Sequence, residues 1–214
     1  MAAKKRPQPN DQGKKFPIIP IIGGVVALII VAAVVFSGSP GQEFGDVTVD
    51  GSPLPPFTAQ AQDLAVGEVA PEITGIDFDG NEVAIRHDGT PKAVVFLAHW
   101  CSHCQAEVPS VQSWLDTTGG VEGIEIVSVA SSMNSAQPNF PPSEWLEREN
   151  WTQPVIRDDV DNTALRSYGS GGFPYWVFLD GDGRVVTRSA GEIPIQSLEQ
   201  LLTSIVAVGA TEGS

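Results

Sequence analysis

The only two cysteines of this 214-residue chain fall in one short run, His99-Trp100-Cys101-Ser102-His103-Cys104. A thiolate is both a nucleophile and a soft metal ligand, so three readings compete. Cys101 and Cys104 are spaced to form a disulfide, but the loop it encloses is so short that closing it would stabilise the fold little. Such a bond reads as one made and broken in a cycle. The second reading is a copper-handling site built from Cys101, Cys104 and a histidine, His99 or His103. Alternate residues at a strand end and successive residues on a helix point apart, so few of these four converge. The third is a buried pair of structural thiols. Placement of the cysteines favours the redox dithiol.

That placement follows from the flanking elements. Residues 93–98 (AVVFLA) are a continuous apolar run rich in β-branched side chains, the pattern of a strand buried on both faces. Residues 102–115 place Val108, Val111, Trp114 and Leu115 at helical spacing, and Gly119-Gly120 ends the helix. Cys101 therefore opens a helix, where unpaired N–H groups and the macrodipole favour a thiolate. Such positions lower a cysteine pKa from about 8.5 to about 3.5–7.5. A protonated His103 beside the thiolate, with His99 adding to it, would stabilise the reduced form and make the disulfide a stronger oxidant.

The other elements read as short strands at 73–78 and 82–85 around an Asp79-Gly80-Asn81 turn, then a buried strand at 124–130. A helix follows at 143–149 with Ser143 as N-cap, then a strand at 155–157 and a helix at 162–168 stopped by Gly169. Strands 175–179 and 184–189 flank Asp180-Gly181-Asp182-Gly183, and an amphipathic helix at 195–208 closes the order. Residues 47–49 form a possible edge strand, and 131–142 a loop insertion near the strand ends. Strands alternating with helices imply an α/β sandwich, part parallel with an antiparallel edge.

Charge divides the chain. Acidic residues outnumber basic ones 26 to 12, a net charge of −14, which argues against a nucleic-acid partner. Residues 1–36 carry Lys4, Lys5, Arg6, Lys14 and Lys15 against Asp11, or 5 − 1 = +4, and the remainder carries 7 − 25 = −18. The two parts are separated by residues 16–36, an uncharged apolar run of 21 residues. About 20 such residues cross a bilayer as a helix. Lysines before the run and none directly after it place the N-terminus in the cytoplasm. The organisation expected is a basic cytoplasmic tail at 1–15, a membrane anchor at 16–36, an extracytoplasmic linker at 37–63 and a globular domain at 64–211. A cleaved secretory signal is the rival to the anchor.

The run VVFLAHWCSHC resembles the thioredoxin superfamily. GEVAP at 67–71, the hairpin DFDGNEV, Glu107-x-Pro109 and Gly172-Phe173-Pro174 before YWVFLDGDGRV are similar to its membrane-anchored TlpA/ResA-like branch. The resemblance covers roughly residues 64–208. It implies a thioredoxin-like three-layer α/β/α sandwich with a mixed central sheet, preceded by one transmembrane helix. It also implies an extracytoplasmic thiol–disulfide oxidoreductase whose only cofactor is its own Cys101–Cys104 disulfide, with no bound metal. Cys101 would attack and Cys104 would resolve the mixed disulfide. Pro174 would be cis and face Cys101, leaving Phe173 and Gly172 to bind an extended substrate segment. Glu107 would assist proton transfer at Cys104, and Trp100 would pack beside the disulfide. Two departures stand out. The position of thioredoxin's buried aspartate is Val95, and the residues between the cysteines are Ser-His rather than Gly-Pro. The branch implies a reductant, for instance in cytochrome c maturation, whereas Ser-His is similar to oxidising and isomerising motifs, so direction stays open. Implied partners are exported or membrane proteins bearing thiols or disulfides, plus a membrane or soluble redox partner. A redox-sensing or scaffold domain is a further alternative.

Overall fold

A strand with no polar side chain after its first residue has to be covered on both faces, and β4 (Lys92–Leu97) is buried throughout. A computed structural model describes residues 43–59 and 62–212 and places β4 at the centre of a five-stranded sheet. The strand order is β6 (Val155–Arg157), β5 (Glu125–Ala130), β4, β7 (Tyr175–Leu179), β8 (Val185–Ala190). The β4–β5 and β5–β6 pairs are parallel, and β4–β7 and β7–β8 are antiparallel. The mixed sheet expected from the element order is present. Parallel pairing brings the ends of β4, β5 and β6 to one edge, and the loops leaving that edge carry the cysteines.

Alternation along β4 assigns its faces. Ala93, Val95 and Leu97 pack with the helices α1 (Ser102–Thr118), α2 (Pro142–Arg148) and α4 (Ile195–Glu212), contributing Val108, Val111, Trp145, Leu198 and Leu202 among others. Val94 and Phe96 point the other way, toward Ile73, Ile85, Leu165 and Tyr168. That second layer is not the helical one of the expected α/β/α sandwich. It combines the five-residue α3 (Thr163–Ser167) with a small antiparallel sheet of β1 (Thr48–Asp50), β2 (Glu72–Ile76) and β3 (Glu82–Ile85). The short β2–β3 hairpin cannot stand alone in water, and it becomes stable by packing on the sheet.

The segment read as linker is partly fold. β1 pairs with β2, Leu54 N–H donates to the Ser167 carbonyl (2.8 Å) and Phe57 N–H to that of Gly169 (2.8 Å). Arg188 fastens the same segment from inside. Its guanidinium donates to the Asp63 carboxylate, with one Nε–Oδ2 distance of 2.7 Å, and to the Pro55 carbonyl at 2.9 Å. One helix start also differs from expectation. Pro141, not Ser143, is the N-cap of α2, and the Ser143 hydroxyl instead donates to the Glu43 carboxylate. The α1 helix runs a turn further than its apolar pattern, to Gly119, whose left-handed φ of 79° is the usual glycine stop. The basic tail and the anchor at 16–36 lie outside the described residues. Among the described residues no helix is long and apolar enough to cross a membrane.

Candidate active site

The turn from β4 into α1 delivers the two cysteines in different environments. Cys101 is the N-cap of α1, with extended φ and ψ of −76° and 120°, and no side chain caps the helix there. Its sulfur is therefore beside uncapped N–H groups at the positive end of a 17-residue helix. Cys101 is 9% exposed and Cys104 is 0% exposed, so an incoming group reaches Cys101 first. Both are free thiols, packed in the same buried cluster. Burial pushes the Cys104 thiol far above its ordinary value, and the nearby Cys101 and Glu107 act in the same direction.

Opposite Cys101 lies the Gly172-Phe173-Pro174 segment, with a cis Phe173–Pro174 bond. The Cys101 thiol reaches the Phe173 carbonyl at 3.5 Å. Pro174 is buried, Phe173 is half-buried and Gly172 is exposed. Trp100 is 37% exposed and meets Phe173 edge to face, with centroids 5.9 Å apart. Its indole N–H donates to the Ser132 carbonyl at 2.7 Å, which ties the ring to the loop after β5.

Glu107 lies beneath this pair on the buried face of α1, one turn after Cys104, and is 4% exposed. Its Oε2 accepts from the Trp176 indole N–H (3.0 Å) and its Oε1 from the Ile193 N–H (2.8 Å). Burial outweighs both hydrogen bonds and pushes the carboxyl up to about 7. A cleft of about 180 Å³, lined by Ala106, Glu107, Ser110 and residues 192–195, opens from this carboxyl. Val95 is fully buried in the same cluster as both cysteines, so Glu107 is the acid on that side of the pair.

The two histidines have different fates from those their spacing suggests. His99 is 1% exposed and spends both ring nitrogens on the loop after β5. Its Nε2 accepts from Asn134 N–H at 3.1 Å, which leaves Nδ1 to donate to the Pro138 carbonyl at 2.7 Å. Burial lowers its pKa, so it is a neutral brace and adds no positive charge at Cys101. His103 is exposed, and its Nδ1 lies 2.5 Å from Glu192 Oε1. Both ring nitrogens of His99 are thus committed, and His103 turns its Nδ1 to a carboxylate. Among the described residues no three histidine, cysteine or acidic side chains converge as metal ligands. Trp176, Ser132, Ile193 and Glu192 are contributions the sequence does not single out. Trp176 had one available signal, since an indole on a strand buried on both faces needs a partner for its N–H.

Residues 78–205 match the family described as a thioredoxin-like domain. The chain is 32% identical over 120 residues to the thiol:disulfide interchange protein TxlA homolog of Synechocystis, covering 56% of this chain and 52% of that protein. It is 26% identical over 151 residues to the thiol-disulfide oxidoreductase ResA of Bacillus cereus, covering 70% and 83%. It thus spans about half the length of the first relative and most of the second. The crystal structure of the thioredoxin domain of a thiol-disulfide oxidoreductase from Bacteroides vulgatus superposes with a TM-score of 0.53 at 27% identity, covering 67% of this chain and 99% of that one.

Proposed function

This chain belongs to the thioredoxin-like domain family, among its thiol–disulfide oxidoreductases of the ResA type, and from that premise we propose that it exchanges disulfides with exported or membrane proteins while anchored by residues 16–36. The observation that carries the reading is the asymmetric pair, a marginally exposed Cys101 at a helix N-terminus over a fully buried Cys104. In the oxidising direction a substrate thiolate attacks the Cys101 sulfur of the Cys101–Cys104 disulfide, and Cys104 leaves. A second substrate thiolate then attacks the substrate sulfur of that mixed disulfide and releases Cys101. In the reducing direction the Cys101 thiolate attacks a substrate disulfide, and Cys104 displaces the substrate and closes the internal bond. Either way Cys104 must exchange a proton from a buried position. Glu107, poised near neutrality and opening onto a cleft, is the group placed to relay it. Trp100, Phe173 and Gly172 form the rim on which a substrate segment lies, with Pro174 beneath. His103 tunes the centre from the helix surface.

The extracytoplasmic assignment is supported by the apolar run and by the lysines before it. Cells expressing the Cys104→Ser variant are expected to accumulate mixed disulfides through Cys101 with extracytoplasmic proteins, and a membrane-impermeant thiol reagent is expected to label Cys101 in intact cells. Capture of cytoplasmic proteins only, or labelling only after lysis, would refute the topology. Direction follows from the reduction potential, about −120 mV for an oxidant like DsbA and about −270 mV for a reductant like thioredoxin.

A further inference from the structure

The turn after β8 brings a carboxylate to the mouth of this site. Gly191, with a left-handed φ of 92° that suits glycine, donates its N–H to the Pro174 carbonyl at 2.8 Å. Ile193 donates its N–H to Glu107 Oε1 at 2.8 Å. Glu192 stands between these two anchored residues and pairs with His103 Nδ1 at 2.5 Å. An exposed ion pair usually contributes little, because two long side chains must be ordered and solvent screens them. Here one partner hangs from a backbone fixed on both sides, and the other sits in the first turn of α1 between the two cysteines.

We propose that Glu192 is a positioning residue for the redox centre. It holds His103 against the 191–193 turn and sets a carboxylate against the ring, so that the imidazole does not stabilise the Cys101 thiolate. The pair then lies further toward the disulfide than Ser-His between the cysteines would place it. The inference rests on the oxidoreductase reading above. The equilibrium concerned is disulfide plus two glutathione thiols going to dithiol plus glutathione disulfide. One sulfur–sulfur bond breaks and one forms, two electrons pass from glutathione to the protein sulfurs, and two protons follow. Any stabilisation of the Cys101 thiolate draws it toward the dithiol. The other titratable groups on this centre are Cys104 and Glu107, both buried beneath it.

The test is the glutathione equilibrium constant of the full chain, of Glu192→Gln, of His103→Ala and of the double variant. Glutamine keeps the size of the side chain on an exposed turn, so the fold is retained. Glu192→Gln is expected to move the equilibrium toward the dithiol by about two- to fivefold, the range open to one exposed charge. In the His103→Ala background the same substitution is expected to move it less. An unchanged constant, or a move toward the disulfide, would overturn the inference. An equal shift in both backgrounds would overturn it too, by assigning the effect to the Glu192 charge alone. Failure of every form to exchange with glutathione would overturn the oxidoreductase reading and this inference with it, a result separable from the other two.

Discussion

Replacing Glu107 by glutamine should remove a pH dependence that the buried carboxyl imposes on stability. The carboxyl is 4% exposed and its pKa is pushed from the ordinary 4.5 up to about 7. In the folded protein the proton is thus held more tightly than in the unfolded chain. Between pH 4.5 and 7 the native state keeps a proton that the unfolded state has lost, so stability falls as pH rises. At about 1.4 kcal/mol per pH unit over 7 − 4.5 = 2.5, the loss is about 3 kcal/mol by pH 8. Glutamine does not ionise. Relative to the natural chain, the variant should therefore gain about 3 kcal/mol between pH 4 and pH 8. It starts from a deficit, because a single amide oxygen cannot satisfy both the Trp176 and Ile193 donors, at a cost of about 1 kcal/mol. His99, neutral and buried, has the opposite sign: its contribution is lost as pH falls below 6.5. The informative quantity is accordingly the difference between variant and natural chain, in which His99 cancels. Urea denaturation of both proteins with reduced thiols, at pH values from 4 to 8, supplies it. Parallel stability curves would refute the assignment of a neutral-range pKa to Glu107. The same substitution tests the relay, since loss of a general acid–base group should slow resolution of the mixed disulfide by about 10²-fold.

Asp63→Asn should destabilise the protein by about 3 kcal/mol, read as a lowered urea midpoint, because it leaves the buried Arg188 guanidinium with its counter-charge removed. The amides at Leu54 and Phe57 should then exchange faster than those of β4, and uniform exchange would contradict the account of these residues as a separately fastened layer. His99→Leu should cost about 1–2 kcal/mol and speed amide exchange at Asn134, whose N–H loses its acceptor. An unchanged Asn134 would show that the loop is held elsewhere.

Hydrophobic rhythm made most of the fold legible. The run at 93–98 and the helical spacing of Val108, Val111 and Trp114 announce β4, α1 and the junction that holds Cys101. The same rhythm carries a signal about Glu107: it falls one turn after Cys104 and beside Val108, on the stripe that faces the core, so its burial is readable. What covers the second face is not readable, because the Gly-, Ser- and Pro-rich composition at 45–58 is that of a linker, and only long-range partners such as Ser167, Gly169 and Arg188 make it fold. Ser143 was a reasonable N-cap by type, but Glu43, 100 residues away, takes its hydroxyl. The histidines mislead for a related reason. Their spacing suggests charge at the cysteines, while His99 is buried among loop contacts 35 and 39 residues distant and His103 faces a carboxylate 89 residues distant. Side-chain protonation depends on tertiary partners that local pattern does not encode.

The central claim is that Cys101 and Cys104 form a reversible disulfide. Its most direct test is a redox titration of the full chain against the glutathione couple, followed by mass and by mapping of the bridged peptide. The account predicts a single two-electron transition in which the chain loses two hydrogens and Cys101 becomes joined to Cys104. A chain that keeps both thiols under fully oxidising conditions, or forms only mixed disulfides with glutathione, would contradict it.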